Sequence, residues 1–339
     1  MTTAAAAPVT PERILQFAWG YAPPLILEAA IRNRVFDVLD AGPKSLAEVS
    51  QATGASERGL AAIMNALVGF EFLVKDGKGN YSLTPESATF LVSTKPGFQG
   101  GLIRHTSVQL IPQWLNLNEV VATGRPAAAV NQQGPGSEFF KEFVNDIFPM
   151  SYGSAQALAA HLNFGDAKGA VSVLDLAVGS GVWGIALAQS SPRVRVTAVD
   201  WHGVLPVARS NAARFGLSDR FTFVEGDLLE AEFGSGHNLA TLGHILHSEG
   251  VERSKKLLRK TFAALASGGT IAIAEFLVNA GRKGPVTGLI FAVNMLVNTD
   301  TGDTYSFEEI AGWLGEAGFK DVRSLATHGP SPLILATKP

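Results

Sequence analysis

Apolar side chains recur every three or four residues through the first half of the chain and in short unbroken runs through the second. This pattern predicts helices first, then strands alternating with helices. Between residues 11 and 41, Ile14, Leu15, Phe17 and Ala18, then Leu25, Ile26, Ala29, Ala30, Val35, Phe36 and Leu39, keep helical spacing. Two short helices are expected there. Pro23-Pro24 sits at a helix start, where a missing N–H costs little, and Gly42-Pro43 ends the second helix.

Ser45 followed three residues later by Glu48 predicts a capped helix, and Gly54 turns the chain. Ser56 opens a second helix whose inner face is Leu60, Ile63, Met64 and Leu67. Phe72-Leu73-Val74 and Tyr81-Ser82-Leu83 flank a polar, glycine-containing turn and predict a hairpin. Helix, turn, helix and a two-stranded wing make a winged-helix arrangement. Its second helix carries Arg58 as sole cation, with Glu57 beside it and a small apolar outer face. Such a surface suits a protein partner rather than a phosphate backbone.

Residues 102 to 164 return to helical spacing, interrupted at Thr123-Gly124-Arg125-Pro126 and at Gly134-Pro135-Gly136. Phe139, Phe140 and Phe143, then Ile147, Phe148 and Met150, concentrate bulky side chains. They read equally as core and linker or as the lining of a small-molecule pocket.

From Val171 the pattern becomes α/β. Val171 to Leu176 is a short apolar strand, and Ala177-Val178-Gly179-Ser180-Gly181 turns into a helix carrying Trp183, Ile185 and Leu187. Glycines there allow a tight turn and let a ligand approach backbone N–H groups at a helix start. Val194 to Val199 predicts a second strand ending in Asp200, and Phe221 to Val224 a third leading to Asp227. Asn238 to Leu246 and Thr270 to Phe276 predict a fourth and fifth, and Leu333 to Thr337 a late edge strand. Ligand groups at consecutive strand ends fit a doubly wound sheet.

Composition narrows the chemistry. The 339 residues contain no cysteine, which excludes disulfides and thiolate metal sites. A formal charge of -3 without a dense Lys/Arg block advertises no nucleic-acid surface. No apolar stretch reads as a membrane span, and the Ala-rich start reads as a tail rather than a signal peptide; the lack of cysteine fits the cytoplasm, which is the expectation, and the periplasm as well. No Gly-Lys-Ser/Thr follows the first loop. Asp175, Asp200 and Asp227 would make the crevice acidic, which favours a sulfonium nucleoside over a pyrophosphate such as NAD.

The chain resembles the small-molecule O-methyltransferases of the plant caffeic-acid and bacterial polyketide or carotenoid type, which use S-adenosylmethionine. The resemblance covers nearly the whole chain through VLDLAVGSGVWG, VTAVD, FVEGDLLE, ILHSEG, GGTIAIAEF and YSFEEI in that order. It implies that the winged-helix half is a dimerisation domain. It also implies that Gly179 and Gly181 lie beside the cofactor's amino-acid part, that Asp200 binds the ribose, and that Asp227 and Leu228 lie at the adenine. His247 matches the general base, and Glu275 the acid that holds it. The family commonly has Gly where Ala177 stands, a change tolerated if the turn needs no positive φ. Its His-Asp-Trp is His247-Ser248-Glu249 here, and Thr304 stands at a second supporting Glu, with Asp303 beside it as a partial replacement.

The expected fold is thus α/β, a doubly wound, mostly parallel Rossmann-like methyltransferase sheet preceded by a mostly helical winged-helix domain. Expected boundaries are 1–101 for dimerisation, 102–165 for a helical linker and substrate-pocket region, and 166–339 for the cofactor domain. The expected cofactor set is Asp175, Ala177, Gly179, Gly181, Asp200, Trp201, Asp227 and Leu228, with His247 and Glu275 catalytic. Phe143, Met150, His244, Asn294 and Met295 are expected at the substrate, and no metal is expected. Trp183 and Trp313 read as packing residues. The expected assembly is a homodimer, with neither nucleic acid nor membrane as partner. A ligand-sensing winged-helix regulator and an NAD-dependent oxidoreductase are the competing readings.

Overall fold

The computed structural model describes residues 9–327 and 331–339. The chain divides into two compact units, residues 1–110 and 111–339.

In the first unit the helices Glu12–Ala18, Ala22–Arg32 and Val35–Leu39 replace the two expected from spacing. Pro23 and Pro24 do fall in the first turn of the second helix. The extra break is at Arg34, whose φ of 59° is left-handed; apolar periodicity carries no sign of such a residue. Ser45 and Glu48 form a reciprocal cap on Leu46–Thr53: Ser45 N–H donates to Glu48 Oε2 at 2.7 Å, and Glu48 N–H donates to Ser45 Oγ at 3.4 Å. Ser56 Oγ accepts from Gly59 N–H at 3.2 Å and starts Glu57–Gly69. Strand β1 (Leu73–Lys75) pairs antiparallel with β2 (Tyr81–Leu83). Leu60, Met64 and Leu67 pack with Phe36, Leu39, Val49 and Tyr81 in one buried cluster. Asn65 accepts from Tyr81 Oη at 2.8 Å and from Lys75 Nζ at 3.1 Å, so this polar group is used within the unit.

The start of the chain is different. Ile14, Phe17, Trp19 and Tyr21 are all more than half exposed. Among the described residues, the stretch Glu12–Arg32 is long and apolar enough to cross a membrane by length and composition alone. A turn at residues 19–21 divides it into two helices.

In the second unit, β3 (Val171–Leu176), β4 (Val194–Asp200), β5 (Phe221–Glu225), β6 (His237–Gly243) and β7 (Leu265–Ala274) are parallel. With β8 (Lys320–Leu325) and β9 (Leu333–Thr337) the order is β5-β4-β3-β6-β7-β9-β8. Helices Phe148–Leu162 and Val182–Ser190 contribute to the core on one face of the sheet, and Leu246–Ala264 and Phe307–Ala317 to the core on the other. Trp183 and Trp313 are buried in these two cores, as their packing reading requires.

The late strand Leu333–Thr337 is not at the edge. It lies between β7 and β8, antiparallel to both. The reason is visible in burial: Leu333 to Ala336 is buried on both faces, whereas the polar β8 is largely exposed. An unbroken apolar run belongs inside a sheet, and the edge goes to the strand that tolerates water.

Candidate active site

The strand order reverses at β3 and β6, so the crevice of this sheet opens at the C-terminal ends of those strands. On the β3 side, Ala177, Gly179 and Gly181 all have positive φ, of 52°, 52° and 80°. Ala177 therefore occupies a left-handed position, so the condition under which alanine would be tolerated there, a turn without positive φ, is not met, and the turn carries the strain of its Cβ. Asp200 ends β4 and folds back on the turn: Gly179 N–H donates to Oδ2 at 2.8 Å and Trp201 N–H to Oδ1 at 2.7 Å. Each carboxylate oxygen keeps a lone pair, the acceptor pair that a vicinal diol needs. Burial raises this carboxyl to about 6 against those two hydrogen bonds.

The three acids do not act alike. Asp175 has no exposed surface; Gly184 N–H donates to its Oδ2 at 2.9 Å and Thr241 Oγ1 to its Oδ1 at 2.7 Å. It holds the helix start beneath the turn instead of lining the crevice, and burial pushes its carboxyl up to about 7. Asp227, just beyond β5, is paired with Arg253 at 2.8 Å. The acidic crevice inferred from three aspartates is thus reduced chiefly to Asp200. Leu228 beside Asp227 is buried.

On the other side of the switch point, β6 leads to His244 and the helix Leu246–Ala264, and β7 leads to Glu275. Glu275 is buried. Its Oε2 is 2.7 Å from His247 Nδ1, and its Oε1 accepts from Leu246 N–H at 2.7 Å and His247 N–H at 3.3 Å. Burial pushes the Glu275 carboxyl up, but His247 and these donors outweigh it and leave the group below its ordinary value. With Nδ1 donating to the carboxylate, Nε2 is the imidazole lone pair, and no described residue bonds it. The ring meets Phe291 edge-on at 4.9 Å and lies 6.3 Å from Phe276.

The remaining supports come from the backbone. Asp303 N–H donates to the His247 carbonyl at 2.9 Å. The Asp303 carboxylate, however, pairs with Arg282 at 3.1 Å, and Thr304 Oγ1 donates to the Gly288 carbonyl at 3.2 Å. Neither side chain replaces a second carboxylate at His247. His237 is also buried, but both ring nitrogens are engaged, by Ser172 Oγ at 2.8 Å and the Phe233 carbonyl at 2.7 Å. It sits at the start of β6, the end of the strand away from the crevice.

Of the residues expected at substrate, His244 joins His247. It has a φ of 60°, its ring is 4.9 Å from Phe276, and its Nε2 is 2.9 Å from Ser331 Oγ. Burial lowers it to about 4, so it is neutral at ordinary pH. Asn294 and Met295 lie on the helix Val286–Asn298, with Asn294 one turn from Phe291. Asn294 Oδ1 accepts from Trp114 Nε1 at 2.9 Å, and Met295 is buried. Phe143 packs in a cluster with Phe139 and Phe140, and Phe140 lies 6.2 Å from Trp201, the residue after Asp200. Met150 is half-buried on the helix Phe148–Leu162. Sequence reasoning missed Phe276, Phe291, Glu249 and Arg253; only the Glu249–Arg253 spacing of four residues carried a signal.

Comparison with known proteins agrees with this geometry. Residues 122–320 match the O-methyltransferase domain, and residues 15–93 the O-methyltransferase dimerisation domain. The chain is 31% identical over 310 residues to 3-hydroxy-5-methyl-1-naphthoate 3-O-methyltransferase of Streptomyces sahachiroi, covering 90% of this chain and 88% of that one. It is 28% identical to the tetracenomycin polyketide synthesis 8-O-methyl transferase of Streptomyces glaucescens, covering 97% of both. A crystal structure from Nostoc punctiforme, proposed to be an O-methyltransferase, superposes with a TM-score of 0.89 at 28% identity, over 98% of this chain and 100% of that one.

Proposed function

Since this chain belongs to the S-adenosylmethionine-dependent O-methyltransferases, we propose that it methylates a hydroxyl oxygen of an aromatic or polyketide-like small molecule with His247 as general base. The observation that carries this reading is the His247–Glu275 pair at 2.7 Å, opposite Asp200 across the switch point of the sheet. The competing regulator and NAD-dependent readings give way to the family.

Asp200 would hold the ribose hydroxyls on its two open lone pairs, with Trp201 beside it. Gly179 and Gly181 would leave room for the amino-acid part at the start of Val182–Ser190, and Asp227 with Leu228 would meet the adenine. When bound, S-adenosylmethionine supplies an electrophilic methyl for an in-line displacement, whose rate depends on alignment of oxygen and carbon. Glu275 fixes His247 with Nδ1 protonated, so Nε2 accepts the hydroxyl proton. A phenol has a pKa near ~10 and His about 6.5, so the transfer becomes favourable as bond formation acidifies the oxygen. Phe276 and Phe291, against or near the His247 ring, suit a planar acceptor. One Streptomyces relative is named for a hydroxynaphthoate and the other for tetracenomycin polyketide synthesis, which supports an aromatic or polyketide-like acceptor for this chain.

Residues 1–101 would dimerise, with Ile14, Phe17, Trp19 and Tyr21 covered by a second copy. Residues 102–165 would help line the acceptor pocket and 166–339 carry the cofactor, in a cytoplasmic enzyme. Titration calorimetry with S-adenosylhomocysteine should give saturable binding; none at millimolar ligand overturns the site. With a panel of hydroxynaphthoates as acceptors, His247→Gln should lower turnover about 10²–10⁴-fold and leave that binding intact. An unchanged rate removes His247 from its role.

A further inference from the structure

A chain of charges that proton transfer does not require joins the two halves of the site. Two residues after His247 the same helix carries Glu249, only 5% exposed. Arg253, one turn further, donates from Nε to Glu249 Oε2 at 2.6 Å and from Nη2 to Asp227 Oδ2 and Oδ1 at 2.8 and 3.1 Å. Leu229 N–H also donates to Asp227 Oδ1, at 2.8 Å. Oδ1 thus has two donors and Oδ2 one, leaving Oδ2 a single open lone pair whose direction the guanidinium sets. Two turns on, Lys260 Nζ donates to the carbonyls of Leu229 and Ala231 at 2.8 and 2.5 Å, tying down the backbone of the same loop.

Burial raises the Glu249 carboxyl; Arg253 opposes that shift, and Asp227 adds to it. Without Arg253, two neighbouring carboxylates would share poorly solvated space, and Asp227 would turn away or one of the pair would take up a proton. We propose that Arg253 is a positioning residue for the cofactor, holding the Asp227 carboxylate at the nucleoside against the repulsion of Glu249. The inference rests on the assignment of Asp227 to the cofactor. Arginine is needed because one planar fork reaches both acids, which an ammonium cannot do in the same geometry.

The test is calorimetry of the full chain with S-adenosylhomocysteine. Arg253→Met is expected to weaken binding about tenfold, and the double variant Glu249→Gln/Arg253→Met to return to within about threefold of the parent, because the repelling charge is gone. A purely structural arginine would not be rescued in this way, so equal weakening in the single and double variants overturns the proposal. Asp227→Asn separates the premise from the inference. If it binds as tightly as the parent, the cofactor assignment of Asp227 fails. If it binds weakly while Arg253→Met binds normally, the positioning role of Arg253 fails. Should Arg253→Met not fold, Arg253→Lys decides: about threefold weaker binding is expected, and parental affinity overturns the proposal.

Discussion

At the scale of single residues, hydrogen bonds already made decide what a carboxyl group can do. Asp175 accepts from Gly184 N–H and Thr241 Oγ1 where it has no exposed surface, and burial raises it from 3.8 to about 7. The folded state therefore holds its proton more tightly than the unfolded chain. Stability from this group is complete below its unfolded value and is lost as pH rises through about 7. In Asp175→Asn the amide oxygen can accept from Gly184 while Thr241 turns to accept from the amide NH₂. That variant should lose less thermal stability than the parent between pH 6 and pH 8 in melts followed by circular dichroism. Parallel loss in both would contradict the raised value. Asp175→Ala strands the Gly184 N–H and should cost about 1–3 kcal/mol. Asp175, Asp200 and Asp227 look equivalent along the chain, each close to the end of an apolar run. Their difference lies in partners 9 to 66 residues away, which no local pattern contains.

At the scale of elements, the helix that carries His247 is kinked at Gly250, with φ 72° and ψ 169°. A Cβ there would lie 2.6 Å from Thr301 Oγ1 and 2.8 Å from the Thr301 carbonyl. Gly302 likewise lets its loop close on the His247 carbonyl and Thr299, and Asp303 N–H then bonds that carbonyl. The close approach lets the loop brace His247 through backbone where Thr304 and Asp303 side chains do not. Gly250→Ala should cost about 1–3 kcal/mol from the backbone conformation alone and lower the melting midpoint by about 2–4 °C per kcal/mol. A midpoint within a degree of the parent would mean that the loop moves aside without cost. Elements with their own punctuation were legible: Ser45 with Glu48, Ser56, and the glycine-containing turn between β1 and β2 each formed as expected. The polar strand β8 carried little apolar signal, and its place outside β9 comes from pairing rather than propensity.

At the scale of the whole molecule, the exposed Ile14, Phe17, Trp19 and Tyr21 belong to a chain with a dimerisation domain. Light scattering at micromolar concentration should give about 71 kDa, twice the 35.7 kDa of the chain. Phe17→Asp with Trp19→Asp should shift the mass toward the monomer value, and a monomeric parent would contradict the homodimer. The sequence by itself determined the two periodicities, the change to strands alternating with helices from Val171, and the ordered motifs that identify a methyltransferase. These are legible because helical spacing, strand runs, caps and glycine turns are written within a few residues of one another. Only the tertiary structure decided that β9 lies inside the sheet, that Ala177 is left-handed, that Asp175 is buried and that Arg253 spans Glu249 and Asp227. The physical reason is common to all four. Strand order, backbone strain, desolvation and charge pairing depend on groups brought together by folding, so local patterning is silent on them.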